Sequence, residues 1–422
     1  MQLVVLSESE YRNFTDKKKA HFLESYEWGE LSKKRGFTPY YVGLKDNDEI
    51  VASALLLKKN LVLNYSYFYI PRGYTIDYNN FDLVKTFTLE IKKFCKDKNG
   101  IFFRIDPDIK LHTIDENAKE IDGENNYKLV NFLESIGFKH RPLTKYFETM
   151  QPRFTFRIDL KPSIEEIEKR YSTTTIQRIK KAKKCGVSVE VGSKDDVKEF
   201  SRLMRMTEER QGFYSHESNY FSDFYDTFSK DNHVTLYLGK LDIKKIETNL
   251  KAELDKLNEE YKAVENLDNK KGTSLKKELS KNITSIEEQL NFFKDKPKDT
   301  IVVSSYLIVH YGNKSWALYA ANDMNYKRLY ANYLVYERQI RDSKAMGMEI
   351  FDVFGTIGEP TSDNHLVGLH DFKKKWGGEY TEFIGEFDFV INKFMYFAYK
   401  KLIPIRHKII NKRLKSTINK EN

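Results

Sequence analysis

Two aspartates stand at the end of an apolar stretch, in the segment IFFRIDPDI at residues 101–109. Asp106 and Asp108 flank Pro107. A residue before proline is pushed out of helical geometry, so Asp106 either caps a turn or holds a carboxylate at a fixed place facing a cleft. Strand ends and the loops after them are where α/β proteins place their sites. Asp106 is therefore the first candidate for acid–base chemistry, and Asp108 is interpreted as the turn residue.

Cationic side chains supply the other candidates. Arg72 ends a strand-like segment just before Gly73 and is a cleft candidate on its charge alone. Seven basic residues and no acid lie between Lys169 and Lys184. Residues 393–422 carry nine basic residues and one acid, with Ile and Leu interleaved. This predicts a basic amphipathic tail that either packs on the body or docks on an anionic membrane face. Trp28 either lines a site or belongs to the core.

Composition sets the context for these residues. The chain has 422 residues, 40% of them hydrophobic, which predicts two or three domains of about 100–200 residues each. A net charge of +9 and a pI near 9.0 favour an anionic partner. The two cysteines form no CxxC pair, no histidine pair has metal-ligand spacing, and the N-terminus does not have the pattern of a signal peptide. We therefore expect a cytoplasmic protein with no metal and no cofactor.

A change of hydrophobic period marks an insertion at residues 242–298. Apolar residues recur there at steps of three and four, break at NLDNKKGTS, and resume until Pro297. This alternation is typical of coiled coils and predicts an antiparallel helical hairpin whose arms project about 30–35 Å at 1.5 Å per residue. Strand-like segments on both sides indicate an insertion between two strands of one sheet. We expect the hairpin to pack mainly on itself, either as a structural arm or as a recognition arm.

The order of elements repeats on both sides of the basic stretch. Residues 49–108 and 301–355 each read strand, strand, helix, strand, with Asp106 and Asp352 at or near the ends of the last strands. The alternation of strands and helices predicts an α/β (α+β) fold of two related domains with mixed sheets.

Seven short motifs in a fixed order then resemble the Fem family of peptidoglycan bridge-forming aminoacyltransferases, and most closely its FemX branch. They are YIPRGYTIDY (69–78), RIDPDI (104–109), MQPRFTF (150–156), TEERQGFYSHESNYF (207–221), LYAAND (318–323), DFKKKWGG (371–378) and IGEFDFV (384–390). The resemblance implies two acetyltransferase-like (GNAT-type) domains. The first spans residues 1–150 and is completed by 385–422, and the second spans 151–384 and carries the hairpin at 242–298.

The activity that the resemblance implies is transfer of Gly, Ala or Ser from an aminoacyl-tRNA to a cell-wall precursor. The acceptor is the side-chain amine of the third stem residue of lipid II or UDP-MurNAc-pentapeptide, and the product is the first residue of the cross-bridge. The partners implied are RNA, a diphosphate and the inner membrane surface, which the protein contacts peripherally. A basic body and a basic tail suit all three.

The resemblance also assigns roles to the reacting residues. Asp106 corresponds to the family aspartate that orients the attacking amine and accepts its proton, a role that needs a raised pKa. Lys373 corresponds to a lysine that holds the developing oxyanion or the terminal phosphate of the RNA. Phe372 beside it either stacks on the terminal adenosine or belongs to the core.

The remaining assignments concern the precursor. Arg210 corresponds to an arginine that grips the diphosphate, for which its bidentate fork is suited. Ser32 stands where the family has a second cation, so either Lys33 or Lys34 substitutes for it, with Lys33 the first candidate, or phosphate binding differs. Tyr319 corresponds to a tyrosine near the acceptor, although alternation along its strand also fits a core position.

Other functions stay open at this point. Within the family they are addition of a later bridge residue, or self-protection against a wall hydrolase. Outside the family they are a CoA-dependent N-acetyltransferase and a non-catalytic tRNA-binding scaffold. The absence of a glycine-rich pyrophosphate loop at a helix start counts against the acetyltransferase.

Overall fold

The computed structural model describes residues 1–145, 150–211, 219–267, 269–296, 299–361, 364 and 366–401. The first part contains β1 (Gln2–Val5), α1 (Glu8–Lys17), α2 (Tyr26–Lys34), β2 (Thr38–Asp46), β3 (Glu49–Asn60), β4 (Ser66–Ile70), α3 (Phe81–Asp97), β5 (Gly100–Ile105), β6 (Lys110–Ile114), β7 (Glu120–Asn125), α4 (Tyr127–Ser135) and β8 (Phe138–His140).

The second part contains β9 (Phe154–Asp159), α5 (Ile164–Lys169), α6 (Thr173–Lys184), β10 (Val187–Gly192), α7 (Val197–Gln211), α8 (Tyr220–Phe228), β11 (Val234–Asp242), α9 (Ile243–Val264), α10 (Lys270–Phe293), β12 (Thr300–Tyr311), β13 (Lys314–Asn322), α11 (Ala331–Ala345), β14 (Ile350–Asp352), α12 (Val367–Lys374), β15 (Glu379–Phe383) and β16 (Phe387–Val390). Residues 393–401 are also helical.

Two mixed sheets organise these elements. The seven-stranded sheet has the order β1-β2-β3-β4-β5-β16-β8, and the nine-stranded sheet has the order β10-β11-β12-β13-β14-β9-β15-β6-β7. Each sheet contains a parallel pair, β4 with β5 and β13 with β14, among antiparallel neighbours. The predicted class, an α/β fold with mixed sheets, is confirmed.

The repeated order of elements is visible in the pairing. In both copies two antiparallel strands are followed by a helix and then by a strand parallel to the second: β3-β4-α3-β5 and β12-β13-α11-β14. Helix α3 covers its sheet with an apolar face, because its buried residues recur at helical spacing from Leu83 to Cys95. The end of β5, where Asp106 follows, is thereby held between a helix and neighbouring strands.

The two sheets exchange strands. β16 comes from the C-terminal part of the chain and lies between β5 and β8 of the seven-stranded sheet, whereas β6 and β7 come from the first part and join the nine-stranded sheet. The segment around Phe22, Leu23 and Leu31 also packs in one apolar cluster with β11, β12 and α7. The end of β5 therefore lies where the two sheets meet, and the division into domains at residues 150 and 385 stays a prediction.

Helices α9 and α10 form the insertion, between the paired strands β11 and β12. Asp242 lies opposite Thr300 in that pair, and the two helices contact each other. The expectation that the insertion packs mainly on itself is wrong for its base. Five apolar residues near the strands belong to the core cluster of the nine-stranded sheet: Ile243, Ile246, Leu250, Ile286 and Phe293. The coiled-coil packing of the distal arms stays a prediction.

This packing predicts different outcomes for two deletions. Removing residues 251–285 and closing the gap with a short Gly-Ser loop should leave the thermal unfolding temperature near that of the full chain, because Leu250 and Ile286 are kept. Removing residues 243–293 should lower it sharply, since each large buried apolar side chain that is lost costs about 2–5 kcal/mol. Differential scanning calorimetry of both variants is the measurement. Equal melting temperatures for the two would contradict the role of the base.

The basic amphipathic tail falls mostly at residues 402–422, which lie outside the described residues. Among the helices that the structure describes, none is long and apolar enough to cross a bilayer. Cys95 and Cys185 are both buried free thiols.

Candidate functional site

Asp106 is anchored at the end of β5 by two neighbours from the first sheet. The backbone N–H of Arg72 donates to its Oδ1 at 2.8 Å, and the hydroxyl of Tyr69 donates at 3.0 and 3.2 Å to its two oxygens. The side chain is buried. Burial raises the pKa of Asp106 to about 7, against the opposing effect of the Arg72 charge. Its position is thus fixed, and its carboxyl group gains and loses a proton near neutral pH.

Arg72 lies beside this carboxyl in a left-handed backbone conformation, with φ of 57°. Its guanidinium carbon is 4.9 Å from the centroid of the Phe383 ring, and the side chain is 6% exposed. Two cavities meet at this residue. One, of about 10 Å³, also touches Asp106, and the other, of about 270 Å³, is lined by His21, Glu24 and residues 74–78. The structure therefore brings together Arg72 and Asp106, which the sequence offered separately.

Asp108 is more than the turn residue that the sequence indicated. Its carboxylate pairs with Arg157 and, at 2.7 Å, with Lys314. Burial alone would raise the pKa of Asp108, but these two cations hold it well below its usual range. Both partners come from the nine-stranded sheet, so Asp108 joins the end of β5 to β9 and β13. The sequence carried no signal for this pairing, because Lys314 lies 206 residues away.

Asp352 continues the connection towards Lys373. Its Oδ2 accepts from Arg157 Nε at 2.9 Å, and its Oδ1 accepts from the backbone N–H of Phe354 at 2.8 Å. Lys373, on α12, donates to the carbonyl oxygens of Phe354 at 2.8 Å and Gly355 at 2.7 Å. A hydrogen-bonded chain thus runs from Asp108 through Arg157 and Asp352 to the loop that Lys373 holds.

Lys373 has a lowered pKa. Burial lowers its pKa to about 7, with Asp352 opposing the shift. An ammonium group has three donors, and two of them are used by the loop carbonyls. One N–H of Lys373 therefore has no hydrogen-bond partner among the residues that the structure describes.

Phe372, its neighbour, is half-buried among aromatic rings. It lies edge-to-face against Tyr333 at 5.1 Å and Tyr336 at 5.3 Å, and near Trp376 at 6.1 Å. These contacts fit the core interpretation. Stacking on a terminal adenosine stays a prediction.

The cations assigned to the diphosphate lie on α2 and at the end of α7. Lys33 is 50% exposed and pairs with Glu30 at 2.5 Å. Lys34 pairs with Asp223 of α8 at 2.5 Å. Arg210 is exposed and has no ion-pair partner in the described part of the chain. Arg35 was not predicted as a site residue, although it belongs to a run of three cations at 33–35; its guanidinium carbon lies 5.0 Å from the Tyr220 ring.

Tyr319 and Trp28 lie in apolar surroundings. The hydroxyls of Tyr319 and Tyr220 are 2.7 Å apart, and both rings pack with Phe221 and Phe224. Trp28 packs edge-to-face on Phe22 at 5.9 Å, and its indole N–H is buried without a hydrogen-bond partner. The core position considered for both residues fits these contacts, and their substrate contact stays a prediction.

One group of side chains has the spacing of a metal site, among the residues that the structure describes. Glu27, Asp231 and His233 bring ligand atoms within 4.8 Å of one another. Arg12 already occupies this group, since its Nη1 binds Glu27 and lies 3.4 Å from Asp231. We interpret the group as an ion-pair link between α1, α2 and the segment before β11.

The two mixed sheets, with the buried carboxyl of Asp106 where they meet and Lys373 holding the loop after β14, fit a protein of the transferase class. The profile of the FemAB family matches residues 6–403, and the chain belongs to that family. The prediction of a Fem-family transferase is confirmed.

Its relatives support the class in more detail. The chain is 27% identical over 389 residues to the lipid II:glycine glycyltransferase of Staphylococcus epidermidis, covering 90% of this chain and 91% of the relative. The protein of the same name from Staphylococcus haemolyticus is 28% identical over 401 residues, covering 92% and 93%. A crystal structure of FemX superposes with a TM-score of 0.75 at 25% identity, covering 94% of this chain and 99% of that one.

Proposed function

We propose that this chain transfers an amino acid from an aminoacyl-tRNA to the side-chain amine of the third stem residue of lipid II or UDP-MurNAc-pentapeptide, forming the first residue of the cross-bridge. The observation that carries the proposal is the buried carboxyl of Asp106, which Arg72 and Tyr69 hold at the end of β5 and whose pKa is raised by burial to about 7. The acceptor amine has an ordinary pKa of about 10.4 and must lose a proton before it attacks. Asp106 is the group proposed to take that proton.

The reaction needs no further reagent. The neutral amine attacks the ester carbonyl of the charged tRNA, and the tetrahedral oxyanion that forms is stabilised by the remaining N–H of Lys373. The ester C–O bond then breaks and the new amide C–N bond is kept. The attacking nitrogen gives its second proton to the RNA oxygen, which leaves as a hydroxyl group, and the proton on Asp106 passes to solvent. Because the ester is already activated, ATP is not consumed.

A cationic and aromatic cavity supports an RNA donor. It measures about 380 Å³ and is lined by Arg178, Lys327, Arg328 and Tyr333. Tyr333 accepts a hydrogen bond from Arg178 and contacts Phe372. Lys327 and Arg328 have no ion-pair partner among the residues that the structure describes. Nucleic-acid strands are bound by such combinations of cations and stacking rings.

The test is incubation with purified lipid II or UDP-MurNAc-pentapeptide and a mixture of charged tRNAs, with the products read by mass. We expect the acceptor mass to increase by one Gly, Ala or Ser residue, without ATP. Acetyl-CoA serving as donor in place of charged tRNA would contradict the proposal.

For lipid II in vesicles, the predicted basic tail is proposed to dock the enzyme on the anionic leaflet.

Arg210→Ala tests the contact proposed for the diphosphate. A charged hydrogen bond is worth about 1.5–3 kcal/mol, which corresponds to roughly 10–100-fold in affinity. We therefore expect the KM for UDP-MurNAc-pentapeptide to rise by about that factor while kcat changes little, since the contact is made equally in the ground and transition states. Arg205→Ala, an exposed arginine on the same helix, is the control. An unchanged KM would remove Arg210 from the site.

A further inference from the structure

Arg72 is a buried cation that forms no ion pair with the residues that the structure describes. Its side chain is 6% exposed, its Nε is buried without a hydrogen bond, and no ion pair reaches it from the described part of the chain. Arg104 and Arg157, also largely buried, are each bound to carboxylates, with Nε···O distances of 2.7 and 2.9 Å to Asp388 and Asp352. The charges of Asp106 and Asp108 act on Arg72 only from beyond ion-pair distance. Its guanidinium therefore keeps the capacity to bind a carboxylate directly.

The backbone holds Arg72 in one place. Gly73 N–H donates to Ile70 O at 3.1 Å and closes the turn after β4. Gly73 has φ of 85°, and a Cβ there would lie 2.3 Å from the hydroxyl of Tyr78. The ring of Phe383 lies 4.9 Å from the guanidinium carbon. The guanidinium is therefore positioned before any ligand arrives, which reduces the entropy lost on binding.

The cavity of about 270 Å³ gives a ligand access to Arg72. Lys314, in its wall, is already paired with Asp108 at 2.7 Å, and Lys19 with Glu349 at 2.7 Å. Glu24, also in the wall, accepts from Thr75 Oγ1 at 3.0 Å and from the backbone N–H of His21 at 2.8 Å. An anion entering this cavity would therefore meet Arg72, whose Nε–H lacks a hydrogen bond, beside groups that are already hydrogen-bonded or ion-paired.

We propose that Arg72 binds a carboxylate of the acceptor peptide and thereby positions the neighbouring amine at Asp106. The inference rests on the proposed function. Its basis is charge complementarity: the backbone N–H of Arg72 holds the Asp106 carboxyl, while its guanidinium offers a planar fork that matches a carboxylate in a bidentate arrangement. A peptide that carries both an amine and a carboxylate satisfies both groups at once.

The experiment compares three soluble acceptors: UDP-MurNAc-pentapeptide with both stem carboxylates free, with the carboxylate of the second stem residue as an amide, and with the C-terminal carboxylate as an amide. Wild-type enzyme should lose at least about tenfold in kcat/KM with one of the two amides, as expected when a charged hydrogen bond is removed. Arg72→Gln should use all three acceptors within about threefold of one another. Arg72→Lys should retain part of the preference.

Lys18→Gln is the control, because Lys18 lines the same cavity and its loss changes the net charge equally. It should leave the preference between acceptors unchanged. Arg72→Gln lowering all three acceptors by the same factor would overturn the inference, and so would a wild-type enzyme that does not distinguish them. An effect of Arg72→Gln confined to the KM for charged tRNA would also overturn it and assign the residue to RNA.

Direct binding separates this inference from the proposed function. Isothermal titration of the three acceptors, with no charged tRNA present, should show the same preference in the wild type and its loss in Arg72→Gln. If binding shows the preference but no amino acid is transferred from any charged tRNA, the proposed reaction fails while the carboxylate site stands. If transfer occurs without the preference, the reaction stands and the carboxylate site fails.

Discussion

Replacing Asp106 by Asn is expected to lower kcat/KM for amino-acid transfer by roughly 10²–10⁴-fold, the contribution usual for a positioned general base. Asn keeps a side-chain oxygen that can accept from the Arg72 backbone N–H, so the geometry at the end of β5 should survive. Steady-state rates with UDP-MurNAc-pentapeptide and charged tRNA measure the effect. Asp82→Asn, an exposed acid in the first turn of α3, is the matched control and should stay within about twofold of wild type.

Two pH measurements distinguish this role from a structural one. Because the pKa of Asp106 is about 7, wild-type kcat/KM should rise as the pH increases through 7 and the carboxyl loses its proton. The free energy of unfolding depends on pH in the opposite direction to the activity. The folded pKa lies above the unfolded value of 3.8, so ionisation favours the unfolded chain, and stability is lost as the pH rises from about 4 to about 7.

The Asn variant cannot ionise at this position. Its melting temperature relative to wild type should therefore increase between pH 4 and pH 8. If the Asn variant is inactive and also melts at a lower temperature than wild type at pH 8, its loss of activity is structural and Asp106 is not assigned as the base.

Replacing Lys373 by Met is expected to lower kcat by roughly 10²–10³-fold with a smaller change in KM, as found when one donor to a developing oxyanion is removed. The volume and length of Met approximate the aliphatic stem of Lys, so the packing of α12 should be kept. The adjacent Lys374→Met is the matched control, because Lys374 is exposed and pairs with Glu116 at 2.7 Å. Equal losses in the two variants would show that general charge, and not the Lys373 position, is what matters.

The charge of Lys373 predicts the alkaline limb of the pH profile. With a pKa of about 7, Lys373 becomes neutral as the pH rises through 7, so activity should fall on that side. Together with Asp106, this gives a bell-shaped profile centred near neutral pH. Lys373→Arg, which stays charged, should retain some activity and move the alkaline limb to higher pH. An unchanged alkaline limb in that variant would mean that another group titrates there.

Local pattern was enough to predict most of the elements. The apolar run at residues 101–105, the apolar steps of three and four at 243–293, and the repeated strand-strand-helix-strand order all depend on neighbours within a few residues. They correctly indicated β5, the helices α9 and α10, and the two mixed sheets. For the same reason Asp106 could be singled out, since a carboxylate after a buried strand is a local feature.

The interactions of the site depend instead on packing between distant segments. Arg72 could be placed at a strand end, but its lack of an ion pair follows from how Phe383 and the turn at Gly73 surround it. Asp108 was predicted to be a turn residue, but the packing of β9 and β13 places Arg157 and Lys314 in ion pairs with it. The sequence pattern indicated that the hairpin packs mainly on itself, but at its base the Ile246 side chain lies against Gly186 of the sheet domain. Sequence by itself therefore determined which elements form and which carboxylate ends a strand. The tertiary structure alone decided which charges are paired, because ion pairing depends on distances across the two sheets that no local period encodes.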